Sequence, residues 1–406
     1  MNSPSVGIVG AGLAGLTAAY YLKKKGIDNI TLFESADKSG GKVQTETVDG
    51  FTLNRGFQVF LPSYPEAARV LDYEKLDLKA FDKGSVIIKN GKKIPFYDPA
   101  SSLKNLLISA IKGPGTLMDK LKLLFLKIGL TGKSSTLMFD GSEESTMAYL
   151  KRFGFSTAMI HDFWTPFYQG IFLENDLHTS RQLFEFTFKM FIESGAVIPS
   201  KGMQAIPDHL VDYIGKEKIK LNEAIVRVEA NTLITAKEGK FPFDHIILAT
   251  DALNRPDNFN HDAMHYKAVT NMYFSAGKIP FLSKHIILNA SPSRVVNNVA
   301  FMSQVAPAYS PEGIHLISVS GNGLHHDPED FKKDLAGMFG PEVKEWKHIK
   351  SYAIPFALPD CKIQDFYQVK NGNGHYVCGD YHLQGSINGA MKSGRMAAEA
   401  LLNDLK

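Results

Sequence analysis

The chain is poor in cysteine: Cys361 and Cys378 are the only two among 406 residues. They stand 17 positions apart, which suits neither a metal-ligand set nor a CxxC redox pair and cannot make a disulfide framework, so a reducing compartment is the expected setting. Long apolar runs are missing as well. No window offers the roughly 18 uninterrupted apolar residues of a membrane span, and Met-Asn-Ser-Pro-Ser leads straight into Val6-Gly7-Ile8-Val9 without the regions of a signal peptide. The expected location is cytoplasmic. Charge bias is slight: a formal +3, not gathered into an aromatic-interleaved basic patch, excludes nucleic acid as the expected partner. No Ser-His-Asp, HExxH or paired-carboxylate arrangement stands out and the histidines are scattered, so neither a side-chain nucleophile nor a metal is expected. What remains is an ordinary folded composition, 44% hydrophobic and 21% charged, at a length that suggests two domains.

Residues 5–34 are the most informative passage. An apolar run ends at Gly10; Gly10, Gly12 and Gly15 then fall in GxGxxG order, and Leu16, Ala19, Tyr20 and Leu22 recur at helical spacing. Strand, turn and helix thus come in the order of a dinucleotide-binding unit. The first glycine permits the tight turn, the second lets backbone approach a pyrophosphate, and the third lets helix and strand pack closely. The pyrophosphate is expected at the helix start, around Leu13 and Ala14, where free N–H groups and the dipole favour an anion. The helix should end at Lys25-Gly26, a basic last turn before a C-cap glycine. A second strand, Ile30-Thr31-Leu32-Phe33, delivers Glu34, 19 residues beyond Gly15, where a carboxylate accepts ribose hydroxyls and disfavours NADP. This signature alone does not choose between NAD and FAD.

Ser39-Gly40-Gly41-Lys42 follows, and it resembles the GG-doublet-plus-basic-residue extension of the FAD-dependent amine oxidase, protoporphyrinogen oxidase and phytoene desaturase superfamily. The resemblance implies that Gly41 and Lys42 lie against the cofactor, with a lysine point charge where relatives carry an arginine fork. A second block, Gly50 to Phe60, has Asn54 where relatives carry an acid, and implies that backbone at Gly56, Phe57 and Gln58 passes the isoalloxazine. By the same resemblance the Val226 backbone meets the adenine, in a stretch, Ile219 to Val228, that reads as a strand pair. Phe243 to Thr250 is then a buried strand emptying into the turn at Ala249-Thr250. The C-terminal run, His375 to Asp380 and Gly385 to Ala390, is similar to the second FAD fingerprint: Gly379 and Asp380 at the ribityl or pyrophosphate, and N–H groups around Ser386, Ile387 and Ala390 at the flavin N1/C2 edge. Reduction places negative charge there, which a helix dipole stabilises. No cysteine occupies an evident flavinylation position, so FAD is expected to be held non-covalently. Arg55 to Phe60, Phe163 to Phe172 and Tyr352 to Pro359 further resemble a protoporphyrinogen-oxidase-like branch.

The expected fold is α/β: a three-layer, Rossmann-type FAD-binding domain with a central parallel sheet, assembled from 1–60, 196–255 and 359–406. An inserted α+β substrate domain would come from 61–195 and 256–358. Aromatics crowd the first insert and mostly read as helical core. Trp164, Phe167 and Tyr168 are the candidates to line a pocket over the flavin, with Arg55, Gln58 and Tyr352 as further substrate contacts. Residues 101–133 form a separate case. Lys104, Lys112, Lys120, Lys122, Lys127 and Lys133 face one acid, Asp119, while Leu117, Leu121, Leu124, Phe125 and Ile128 recur at helical spacing. Such a face usually packs on the core; the alternative is a peripheral anionic membrane interface. The leading functional expectation is an oxidase or dehydrogenase that passes hydride from an apolar, planar, tetrapyrrole-like or amine small molecule to flavin N5, with oxygen or a quinone as acceptor. A non-redox isomerase of a polyene or sugar, or a flavin-binding scaffold, are the other readings.

Overall fold

The computed structural model describes residues 4–98, 102–134, 136–139, 144–256, 264–292, 294–361 and 363–406. Its central element is a parallel sheet whose strands run, edge to edge, Tyr376–Val377, His245–Leu248, Val6–Val9, Ile30–Phe33 and Ile219–Lys220. The three inner strands are short apolar runs, as expected of a sheet covered on both faces. One face carries the helices Leu13–Lys24, Ala205–Ile214 and Ile387–Asp404. The other carries a three-stranded antiparallel sheet, Ile225–Glu229, Thr232–Thr235 and Lys240–Pro242. Between the two sheets Val9, Phe33, Val228, Leu233, Ile246 and Leu248 form a small core. The fold is therefore three-layered, and every strand of the parallel sheet comes from the N-terminal, middle or C-terminal segments.

Two glycines let the helical layer close. A Cβ on Gly394 would lie 2.1 Å from the Ala14 carbonyl oxygen, so the C-terminal helix meets Leu13–Lys24 backbone to backbone. A Cβ on Gly15 would lie 2.0 Å from the Gly10 carbonyl oxygen, so the first helix can sit on its own strand only with glycine there.

The intervening segments build a seven-stranded mixed sheet in the order Lys347–Pro359, Tyr266–Ala276, His315–Asn322, Asn298–Phe301, Ile286–Asn289, Gly84–Lys89 and Lys92–Tyr97. Both inserts contribute, joined by the parallel pairing of Gly84–Lys89 with Ile286–Asn289. A helical layer containing Arg181–Ser194 adjoins it. The halves also share Leu78–Ala80 paired with Val197–Pro199, so a boundary near 195 falls at paired strands and not in a linker. The stretch from Ile219 to Val228 divides: its start joins the parallel sheet and its end the antiparallel one.

Ser101, the first residue of the basic segment, lies outside the described residues. The rest of that segment is two helices, Leu103–Lys112 and Leu117–Thr131, split where Gly113-Pro114-Gly115 ends one and a Thr116–Asp119 capping box starts the next. Leu123, Leu126 and Leu130 face inward, whereas Leu117, Leu121, Leu124, Phe125 and Ile128 face solvent. The apolar face expected to pack on the core is the outer one, because the second row of leucines takes the core side. Among the described residues no helix is long and apolar enough to cross a membrane.

Candidate cofactor and substrate site

The site gathers where strands of the parallel sheet end. Gly10, at φ +102°, turns the chain beneath Ala249, whose N–H donates to the Val9 carbonyl at 2.8 Å. Gly12 precedes the first helix and makes no side-chain cap, leaving the opening N–H groups of Leu13 and Ala14 without intrahelical acceptors. Gly12 differs from its neighbours: an added Cβ would meet only the Gly41 Cα, at 3.8 Å. Among the described residues nothing else, its chain neighbours aside, comes within 4 Å of that position. Gly40 holds the second loop against the first, its N–H donating to the Ala11 carbonyl at 2.9 Å. Glu34 is fixed at the same turn, its carboxylate accepting from the N–H groups of Ala11 at 2.9 Å and Ala36 at 3.0 Å.

Lys42 and Asp380, remote in sequence, form an ion pair of 3.0 Å. Tyr266 lies beside it, with the ammonium 5.1 Å from the ring centroid. Burial, and then the neighbouring Asp380 and Asp251 charges, push the phenol above its ordinary range. The Gln58 amide donates to the Lys42 carbonyl at 2.9 Å. Three buried acceptors border this region without a hydrogen-bond partner among the described residues: Gln58 Oε1, Thr250 Oγ1 and Gln384 Oε1. Ser386 caps the last helix by accepting from the Gly389 N–H at 2.9 Å, so the N–H groups of Ile387 and Asn388 have no acceptor within the helix. Ala390 lies in the first turn and donates to the Ser386 carbonyl. Gly379 is held from behind by the Ser393 hydroxyl at 3.0 Å. Val226 is the extra residue of a β-bulge between Ile225 and Arg227, which takes its backbone out of one-to-one pairing. Of the thiols, Cys361 is pushed up to about 11 by burial and by Asp380, and Cys378 is raised by complete burial.

The expected substrate contacts separate. Gly56, at φ +94°, abuts Ile354. Arg55 is exposed on the adjoining rim, its guanidinium donating to Gln44 at 3.3 Å. On the same rim the Tyr352 hydroxyl donates to Glu46 in a short hydrogen bond, and Lys350 reaches the same carboxylate at 2.8 Å. Burial opposes ionisation of Glu46, but Lys350 and Tyr352 outweigh it and hold the carboxyl below its usual range; Tyr352 is raised by burial and by Glu46. Trp164 and Tyr168 are fully buried, with Phe184 5.3 Å from the indole and 4.7 Å from the phenol. They belong to the core, not to a pocket wall. Phe167, one row round the helix, lines an apolar cavity with Phe81, Phe96, Leu123, Phe163 and Phe191. Phe57, which follows Gly56, meets Phe81 of the cavity wall edge-on at 6.3 Å. Glu46 and Tyr266 lie outside the motifs; Phe163 opens the Phe163 to Phe172 block but is not singled out there as a pocket residue, although it precedes Phe167 by one helical turn.

The sequence matches the family described as flavin containing amine oxidoreductase over residues 13–402. It is 28% identical over 156 residues to protoporphyrinogen oxidase 2, chloroplastic/mitochondrial, of Arabidopsis thaliana, covering 37% of this chain and 29% of that protein. It is 42% identical over 73 residues to coproporphyrinogen III oxidase of Mycobacterium leprae, covering 18% and 16%. The matched stretches thus span under a third of these relatives. In fold it is similar to the crystal structure of an oxidoreductase from Methanosarcina mazei, with a TM-score of 0.70 at 18% identity, covering 97% of this chain and 100% of that one. With the family match running almost from end to end, the chain belongs to the flavin containing amine oxidoreductases.

Proposed function

We propose that the protein binds FAD non-covalently and oxidises a largely apolar, macrocyclic small molecule of the porphyrinogen type. The observation that carries the cofactor reading is the uncapped space before Gly12, bordered by Gly41 and by a helix start with free N–H groups. The orphaned acceptors at Gln58, Thr250 and Gln384 fit a ligand rich in donors and acceptors. In this reading Leu13 and Ala14 meet the pyrophosphate, Glu34 the adenosine ribose, and the Val226 backbone the adenine. Asp380 holds the ribityl chain, and Lys42 neutralises it so that a carboxylate is tolerated near phosphate. Gly56, Phe57 and Gln58 flank the ring, and the N–H groups at Ser386 and Ile387 face its electron-rich edge. A raised thiol at Cys361 is a poor nucleophile, which supports non-covalent binding.

When bound, the flavin supplies a two-electron acceptor for hydride. The chain's own residues position the substrate and exclude water, which orientation alone makes effective. The apolar cavity beyond Phe57 supports an apolar or planar substrate, with Phe81, Phe163 and Phe167 as its wall, and the two named relatives support the porphyrinogen class. Oxygen or a quinone would reoxidise the cofactor. The test is anaerobic addition of protoporphyrinogen or coproporphyrinogen to the flavin-loaded protein. Loss of the oxidised-flavin absorbance, restored by oxygen or a quinone, is expected. Product formed without lasting reduction would replace this reading by an isomerase, and no change with either compound would remove the porphyrinogen class.

A further inference from the structure

We infer that the paired helices Leu103–Lys112 and Leu117–Thr131 dock in the plane of an anionic lipid bilayer. Large apolar side chains on them stand in solvent: Ile111 is 79% exposed, Phe125 67%, Leu117 66% and Ile128 63%, with Leu107, Met118, Leu121 and Leu124 around them. At about 100° per residue, Leu117, Met118, Leu121, Leu124, Phe125 and Ile128 occupy one arc of about 120°. Lys120 and Lys127 border that arc on one side, and Lys122 on the other. This is the arrangement of an interfacial helix, apolar below and cationic at its edges.

The charges select the partner. Asp119, the segment's one acid, is buried and turned inward, accepting from the N–H and hydroxyl groups of Thr116 and Ser156 at 2.7–2.8 Å. Lys127 and Lys133 are neutralised by Asp98 and Glu185. Lys104, Lys112, Lys120 and Lys122 pair with no carboxylate among the described residues. Lys120 and Lys122 donate to the backbone carbonyls of Gly113, Gly115 and Gly154, which leaves their charge uncompensated, and Lys104 and Lys112 are exposed; net positive charge around apolar side chains complements anionic headgroups over acyl chains. The same helix turns Leu123 and Lys127 into the wall of the apolar cavity, so docking would set lipid on the opposite side of the helix that walls that cavity. The inference rests on this surface and not on the flavin reading, which survives its failure.

The experiment uses the full-length, flavin-loaded protein with vesicles of phosphatidylcholine alone or with equal parts phosphatidylglycerol, read by flotation. Binding is expected to the anionic vesicles and to weaken with salt. Lys104→Gln with Lys112→Gln should weaken it about thirtyfold, and Leu124→Ser with Phe125→Ser at least about a hundredfold. All four side chains are exposed, so the variants should melt with the wild type, and flavin content should not change. Absence of binding to anionic vesicles, or equal binding by the variants, would overturn the inference. So would light scattering that shows a dimer dissociated by Leu124→Ser and Phe125→Ser, because the face would then serve a second copy of the chain.

Discussion

Replacing Gly12 with alanine separates cofactor space from fold integrity, because the glycines of the first turn differ in what a methyl group would strike. At Gly15 the new carbon would lie 2.0 Å from the Gly10 carbonyl oxygen, and at Gly10 2.8 Å from that of Ala249. Both are collisions with backbone that no side-chain rotation relieves. Gly12 has φ −75°, open to any residue, and protein approaches its added carbon only at 3.8 Å. Alanine is the poorer N-cap by about 0.5–1 kcal/mol, but it restricts the unfolded chain by about 0.4–1 kcal/mol. The two nearly cancel, so flavin-free Gly12→Ala should stay within about 1 kcal/mol of wild type, while Gly15→Ala should lose about 1–3 kcal/mol. Flavin affinity should separate from stability in Gly12→Ala, because the methyl group takes volume that the pyrophosphate needs. A loss of at least tenfold, about 1.4 kcal/mol, is expected. The assays are thermal melting of the flavin-free proteins and FAD titration followed by flavin fluorescence. Unchanged affinity in Gly12→Ala would refute the position assigned to the pyrophosphate, and a melting temperature as low as that of Gly15→Ala would refute the separation itself.

Three further outcomes follow from the same geometry. Lys42→Met leaves Asp380 as an uncompensated carboxylate near the expected phosphates, so it should reduce FAD affinity more than Asp380→Asn does; the double variant should recover part of the loss, read by titration. Trp164→Ala removes a fully buried indole and should cost about 3–5 kcal/mol in chemical denaturation, without shifting substrate preference in the soluble fraction. His382 is pushed down to about 3 by burial and then by Arg255, below the roughly 6.5 of an unfolded histidine. The fold therefore prefers the neutral ring. The stability this contributes is present above about pH 6.5 and is lost as pH falls toward 3. Wild type should lose melting temperature through that window, and His382→Phe, which keeps the stack on Tyr367 at 4.5 Å, should flatten the profile.

The glycine loops and Glu34 could be read from the sequence because their demands are local. A positive φ or a backbone contact at Gly10 and Gly15 admits one residue type, and a strand, turn and helix follow within 30 positions. The order of the later strands was equally readable, since short apolar runs ending in small residues are what a doubly covered parallel sheet requires. The Lys42–Asp380 pair, the Gly394–Ala14 contact and the Tyr352–Glu46 bond were not. Each joins residues hundreds of positions apart, and no spacing rule connects such partners.

The substrate half was harder to read for a different reason: its helices are apolar on more than one row. Phe163 and Phe167 form one stripe, 5.6 Å apart, and Trp164 and Tyr168 the next, 6.1 Å apart. Both are aromatic, so residue type does not say which row meets the cavity and which the core. The helix Leu117–Thr131 poses the same ambiguity with leucine on both sides. There the polar residues resolve it. Asp119 has donors only inward, so its row must be the buried one. The arc opposite, edged by lysines whose tips reach backbone carbonyls and Asp98, is then left outside. An apolar row on such a helix is assigned by where its charged neighbours can be satisfied, not by its own hydrophobicity. On that criterion the outer face of Leu117–Thr131 carries an apolar arc that water leaves poorly satisfied, and a lipid interface would cover it.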